Sequence, residues 1–168
     1  IAVPATAQEV TLKVHHFWPP GAMPPSTLLV PWCDRIAKDS NNRMKCQIYP
    51  AMQLGGAPPQ LIQQAMDGVA DIVWTRPGYT AGRFPMMEVF GLPFVSMTGE
   101  ATSQAAWDYY TQFGHKEFPG IKALAVNVHD NGQVHTVNKQ IKVMADFKGL
   151  KMRAPTRQTN KMLGALGA

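Results

Sequence analysis

The strongest constraint on the fold of this chain is a hydrophobic period that switches back and forth along its first half. Val10, Leu12 and Val14 alternate with Thr11, Lys13 and His15, which is the two-residue period of a strand. From about Ser26 the spacing changes, and Leu29, Trp32, Cys33 and Ile36 fall on one stripe of a helix. Pro31 within that stripe predicts a late helix start or a kink. Met44, Cys46 and Ile48 return to the strand period, which Pro50 stops. A second helix is expected behind Pro58-Pro59, with Leu61, Ile62, Ala65 and Met66 inward and Gly68 just past its end. A third short strand is expected over 71–75. A parallel neighbour can be reached only by a crossover, and a helix supplies one. The alternation therefore predicts an α/β fold, a mainly parallel sheet flanked by helices.

The second half continues the alternation. A longer helix is expected over 100–113, with Ala105, Ala106, Tyr109 and Phe113 inward. Strands are expected over 121–128 and 134–138, a helical turn near 145–148, a strand over 150–153, and a helix from about 156 to 166. In open parallel sheets ligands sit beyond the carboxyl ends of the strands. Here those ends lead into loops 17–25, 50–58, 75–85, 129–133 and 153–157, which between them hold Trp, Tyr, Phe, Arg and several Gly.

Composition narrows the class. The 168 residues are 45% hydrophobic and 16% charged, which describes a globular protein. The formal net charge of +5 is spread over clusters broken by apolar residues, with no alternation of basic and stacking aromatic residues. A nucleic-acid partner is therefore not expected, and an anionic small ligand fits the charge as well. Ala5-Thr6-Ala7 is the small-x-small pattern that precedes a secretory cleavage site. No apolar run reaches the roughly 18 residues of a membrane span. An exported, soluble, periplasmic protein is expected. Cys33 and Cys46 can form a disulfide in that compartment or remain two buried thiols, and the sequence leaves both open. Two cysteines without a CxxC do not make a metal site, and no metal or cofactor is expected.

Four segments in order carry a resemblance: "YPAMQLGG", "LIQQAMDGVADIV", "FPMMEVFGLPFV" and "MADFKGLKMRAP" with "ALGA" behind it. Together they span about residues 12–168, and the chain resembles the amino-terminal portion of a solute-binding receptor of TRAP transporters, the DctP-like periplasmic proteins. The resemblance implies a periplasmic-binding-protein-like fold, with residues 8–125 as a first lobe and 126–168 as a hinge strand and the start of an incomplete second lobe. It implies a ligand held between two lobes, an organic acid, and delivery to the membrane subunits of the transporter. Family members run to about twice this length, so the chain is expected to be truncated and to bind acids weakly alone, unless two copies complete each other by exchanging elements.

The same resemblance places the family's carboxylate-clamping arginine on Arg153. A guanidinium forms two parallel hydrogen bonds to a carboxylate, and the helix starting near Thr156 favours an anion at its amino terminus. A second arginine common in relatives is missing: "GQVHTVN" sets Val134 there, beside Gln133, which offers a hydrogen bond but no charge. A monocarboxylate is favoured over a diacid, and His135 is a further candidate donor. Phe17, Trp18, Trp74, Arg76 and Tyr79 stand in or beside the strand-end loops, and their flat faces suit an aromatic 2-oxo or 2-hydroxy acid. Asn127, His129 and Asn131 are neighbouring candidates.

Two other functional classes fit the sequence less well. An enzyme is not expected: no GxSxG elbow, Walker loop or dinucleotide fingerprint is present, and Glu88, Glu100, Asp108 and Glu117 are not convergently spaced. His15 and His16 point to opposite faces of a strand and do not chelate one metal together. The ligand-sensing module of a regulator is the alternative, and recovery of the protein from the cytoplasmic fraction would favour it.

Overall fold

The computed structural model describes residues 9–168, and the small-x-small run at 5–7 lies outside the described residues. Strand β1 (Val10–His16) stands at the centre of a three-stranded sheet of order β2-β1-β3, flanked by β2 (Met44–Tyr49) and β3 (Ile72–Trp74). Both pairings are parallel, with Leu12 beside Cys46, Val14 beside Ile48 and Ile72, and His16 beside Trp74. Side-by-side residues of parallel strands share a sheet face, so these positions form one apolar surface. Val14, at 0% exposure, is its centre, packed with Leu29, Cys33, Trp32, Ile48 and Trp74.

Helix α1 (Val30–Asp39) supplies Trp32 and Cys33 to that face, and a disulfide joins Cys33 to Cys46 of β2 with Cα atoms 5.6 Å apart. The helical path begins ahead of α1 with a π turn over Pro25–Leu29, in which the Val30 N–H donates to the Pro25 carbonyl. This wider turn lies just before Pro31 and relieves the clash of its ring with the carbonyl four residues back, so no late start is needed. The opposite sheet face carries His15, beside Tyr49 and Val73. Helix α2 (Leu61–Met66) covers it, with Leu61 and Ile62 buried. A short 3-10 turn at Pro58–Gln60 starts α2, and Gly68 follows its end at φ 71°, the left-handed value expected of that position.

The described chain divides between Thr75 and Arg76 into two compact units. The second is built around α3 (Gly99–Gln112), whose Thr98 cap accepts from the Ala101 N–H at 3.2 Å. Its buried stripe is Thr102, Ala106 and Tyr110, spaced by four. This corrects the expected stripe: Ala106 is inward, but Ala105 is exposed, Phe113 is largely exposed, and Tyr109 is half-buried. The aromatic core decides the rotation, because Tyr110 meets Phe118 edge-on at 5.6 Å and Phe118 stacks on Phe84 at 4.4 Å.

Three expected strands do not form. Residues 121–128, 134–138 and 150–153 have no ladder among the described residues. Alternation favours an extended backbone, but a strand exists only where a partner accepts its hydrogen bonds. The first of these runs is pinned along α3 instead: the Ala123 N–H donates to the Tyr110 hydroxyl at 3.3 Å and the Val128 N–H to Ser103 Oγ at 2.8 Å. The expected helical turn is a 3-10 turn over Met144–Phe147, held by Asp146, whose carboxylate accepts the Lys142 and Val143 N–H groups. Helix α4 (Arg157–Ala165) closes the chain, capped by Thr156, whose hydroxyl accepts from the Thr159 N–H.

Candidate functional site

In the first unit the carboxyl ends of β1 and β3 gather aromatic side chains. Phe17 and Trp18 follow β1 directly, and their ring centroids lie 4.7 Å apart. Trp18 meets Trp74, the last residue of β3, edge-on at 6.2 Å. All three are half-buried. The register explains the meeting: Trp74 pairs with His16, and Trp18 lies two residues beyond His16 on the same face. His16 Nδ1 and Trp18 Nε1 are buried without a hydrogen-bond partner.

The loop after β2 is fastened beside these rings. Ala51 and Met52 take left-handed φ values of 49° and 60°, a costly conformation for non-glycine residues. Their N–H groups donate to the carbonyls of Trp18 at 2.8 Å and His16 at 3.1 Å. His15, fully buried, lies under the same loop: its Nδ1 is 2.9 Å from Gln64 Oε1, and its Nε2 accepts from the Leu54 N–H at 3.4 Å. That pattern requires the neutral tautomer with the proton on Nδ1. Burial pushes the His15 imidazole below its ordinary range, and burial with the neighbouring His15 does the same to His16.

In the second unit a 3-10 turn at Pro77–Tyr79 brings Arg76 to within 5.4 Å of the Tyr79 ring centroid. Arg76 Nη2 is also 3.0 Å from Nε2 of His129. Gly78 in that turn lies against the cap of α4, where an added Cβ would be 2.8 Å from Thr156 Cγ2. Arg76, Tyr79 and His129 therefore form one cluster. Arg153 lies in the irregular run that enters α4; it is exposed and makes no hydrogen bond or ion pair among the described residues. Gln133 and His135 fall on an exposed run; Gln133 donates weakly to the Asn131 carbonyl at 3.4 Å, and no hydrogen bond joins either residue to Arg153.

Glu88, set aside in the sequence as a carboxylate without convergent partners, has partners in the fold. Its carboxylate is buried and accepts the Gly82 N–H at 2.8 Å on one oxygen. The other oxygen accepts Arg157 Nε at 2.7 Å and Nη2 at 2.6 Å, together with Nε2 of Gln158. Burial alone would raise its pKa, but the donors from Gly82, Gln158 and Arg157 outweigh that and hold it below the ordinary carboxylate range. Arg157 and Gln158 are the first two residues of α4, so a protein carboxylate already serves that end of the helix. Nothing local in the sequence signals this, since the partners are 69 and 70 residues away.

A surface depression of about 590 Å³ runs along α1 and the start of β2, away from the strand ends where the aromatic residues gather. It is lined by Trp32, Arg35, Ile36, Asp39, Ser40 and Met44, and Arg35 is already paired with Asp39. It offers no convergent donors. A smaller one of about 240 Å³ adjoins Glu88 and Arg157. Among the described residues no three His, Cys, Asp or Glu side chains come together as metal ligands, and no helix is long and apolar enough to cross a membrane.

Comparison with known proteins identifies the family. The chain is 54% identical to a TRAP solute-binding protein of Rhodoferax ferrireducens solved with copurified benzoate, with a TM-score of 0.90 over 94% of this chain and 49% of that one. It is 50% identical to a marine-metagenome TRAP solute-binding protein specific for aromatic acid ligands, solved with 3-hydroxybenzoate, with a TM-score of 0.92 over 96% and 50% of the two chains. Among curated proteins it is 27% identical to the outer membrane transporter protein TsaT of Comamonas testosteroni, over 96% of this chain and 48% of that protein. The chain thus spans about half the length of these relatives. Residues 14–168 match the family described as bacterial extracellular solute-binding protein, family 7 (DctP), and the chain belongs to that family.

Proposed function

We propose that this chain serves in a periplasmic receptor that captures an aromatic monocarboxylate and delivers it to the membrane subunits of a TRAP-type transporter. The observation that carries the reading is the state of the arginines around α4. Arg157 is engaged by Glu88 and Arg76 by His129 and Tyr79, whereas Arg153 presents a guanidinium with no protein partner among the described residues. A free planar fork just ahead of a helix suits a carboxylate, which accepts two parallel hydrogen bonds from it. The relatives solved with benzoate and 3-hydroxybenzoate support the aromatic part of the reading. The rings of Phe17, Trp18 and Trp74 fit it chemically, because flat half-buried faces pack against a benzene ring with little loss of rotamer freedom.

In this reading Arg153 of the second unit clamps the carboxylate, Tyr79 of the same unit is a candidate ring contact, and Phe17, Trp18 and Trp74 are candidate ring contacts offered by the first unit. Arg76, Gln133 and His135 supply further polar contacts. Residues 8–125 belong to a first lobe and 126–168 to the connection into a second. The protein returns its ligand chemically unchanged, which separates a receptor from an enzyme. A second copy is a further proposed partner, checked by sedimentation.

The test is a thermal-shift panel of benzoate, 3-hydroxybenzoate, mandelate and succinate on a chain of the relatives' full length carrying these residues, beside its Arg153→Ala variant. Aromatic monocarboxylates are expected to raise the melting temperature, and the variant to lose the effect. Stabilisation by succinate alone, or an undiminished shift in the variant, would overturn the reading.

A further inference from the structure

We infer that Glu88 is a positioning residue for Arg153, an inference that rests on the proposed role of Arg153 as the carboxylate clamp. Glu88 collects donors from two separate segments, the Gly82 N–H of its own loop and the side chains of Arg157 and Gln158 in the first turn of α4. It is the buried member of the pair, with its side chain 5% exposed against 48% for Arg157. A buried carboxylate with charge-assisted bonds on both oxygens has one low-energy place to be, so it fixes the first turn of α4 against the 82–88 loop.

Arg153 stands only four residues before Arg157. Between them lie Ala154, Pro155 and the cap Thr156. Pro155 fixes its own φ and biases Ala154 toward extended backbone, while Thr156 is held by its bond from the Thr159 N–H. Three stiff residues transmit the anchored turn to the base of Arg153. A side chain with four rotatable bonds is otherwise free to sample many directions, and a bidentate clamp is sensitive to where its stem begins.

The geometry defines the probing variant. Glu88→Gln keeps the shape but replaces one acceptor oxygen by an N–H2 group. Whichever way the amide turns, that group faces either the Gly82 N–H or the Arg157 and Gln158 donors, so one set of donors is opposed.

The experiment is a double-mutant cycle on benzoate affinity, by calorimetry, in a chain of the relatives' full length, at temperatures where every variant is folded. Glu88→Gln is expected to weaken benzoate binding about tenfold, and to add nothing in an Arg153→Ala background. Arg157→Lys, on the half-exposed partner, keeps the charge but not the fork, and is expected to give the same pattern more weakly; it also serves if Glu88→Gln does not fold. A lower melting temperature with unchanged affinity would reduce Glu88 to a structural role. The full tenfold loss persisting without Arg153 would show that it acts elsewhere. If Arg153→Ala alone leaves benzoate binding intact, the clamp reading fails and this inference with it, and that arm identifies the failure separately.

Discussion

Opening the Cys33–Cys46 bridge gives a stability cost that can be worked from its position. The bridge ties α1 to β2 across 13 residues of sequence. In the chain-entropy account a loop of about that length removes roughly 10 cal/mol/K from the unfolded ensemble, or about 3 kcal/mol at 25 °C. Reduction lets the two sulfurs move apart to van der Waals contact by small side-chain rotations while Cys33 stays within the Val14 and Leu29 cluster, so folded-state packing should change little. The loss should therefore come mainly from the unfolded side. The assay is urea unfolding of the oxidised and fully reduced protein, followed by tryptophan fluorescence, to which Trp18, Trp32 and Trp74 of the first unit contribute. The expected result is a loss of about 3 kcal/mol on reduction with a steeper denaturant dependence, because the released chain exposes more surface. Coinciding unfolding curves would refute the reasoning, since they would mean that the link constrains nothing the unfolded chain is free to do.

Acid should destabilise the first unit for a specific reason. Burial lowers the pKa of His15 and His16 below the ordinary 6.5, so the unfolded imidazoles bind protons that the folded ones refuse. Stability is full above 6.5 and falls as pH drops from 6.5 towards the lowered folded values; His16→Leu should flatten that slope in melting-temperature scans, and an unchanged slope would argue against it. Gly78→Ala should cost about 1 kcal/mol, because its Cβ displaces the capping Thr156, whereas the Cβ of Gly114→Ala presses on the unbranched Met87 side chain, which can shift, and reaches Tyr110 only at ordinary contact distance, so it should cost less. Chemical denaturation of the pair checks the order, and equal losses would contradict it.

The first unit was legible in the sequence because its signals are local. The period of Val10, Leu12 and Val14, the breaker at Pro50 and the glycine at 68 each act within a few residues, and the strands they mark are the ones that form. The second unit was less so. Residues 121–128 carry a strand's alternation, but their donors go to Tyr110 and Ser103 on α3, and no local pattern reveals which partner a run will find. The rotation of α3 onto Thr102, Ala106 and Tyr110 goes with the edge-on contact of Tyr110 with Phe118, a tertiary choice between two plausible stripes. For the candidate site, the sequence placed Trp18 and Trp74 only in or beside two strand-end loops, and that their rings meet follows from the strand register. The Glu88–Arg157 pair was invisible, being an encounter between segments with no shared motif. The disulfide was undecided for a related reason: two cysteines pair only if the fold brings their Cα atoms within reach, and here they lie 5.6 Å apart.

The central claim is that a carboxylate is gripped by Arg153. It is tested most directly by calorimetric titration of benzoate and of its uncharged amide, benzamide, into a chain of the relatives' full length, with and without Arg153→Ala. Loss of a charged bidentate pair should weaken benzoate by roughly ten- to hundredfold while benzamide changes little. Equal affinities of wild type and variant for benzoate would contradict the account.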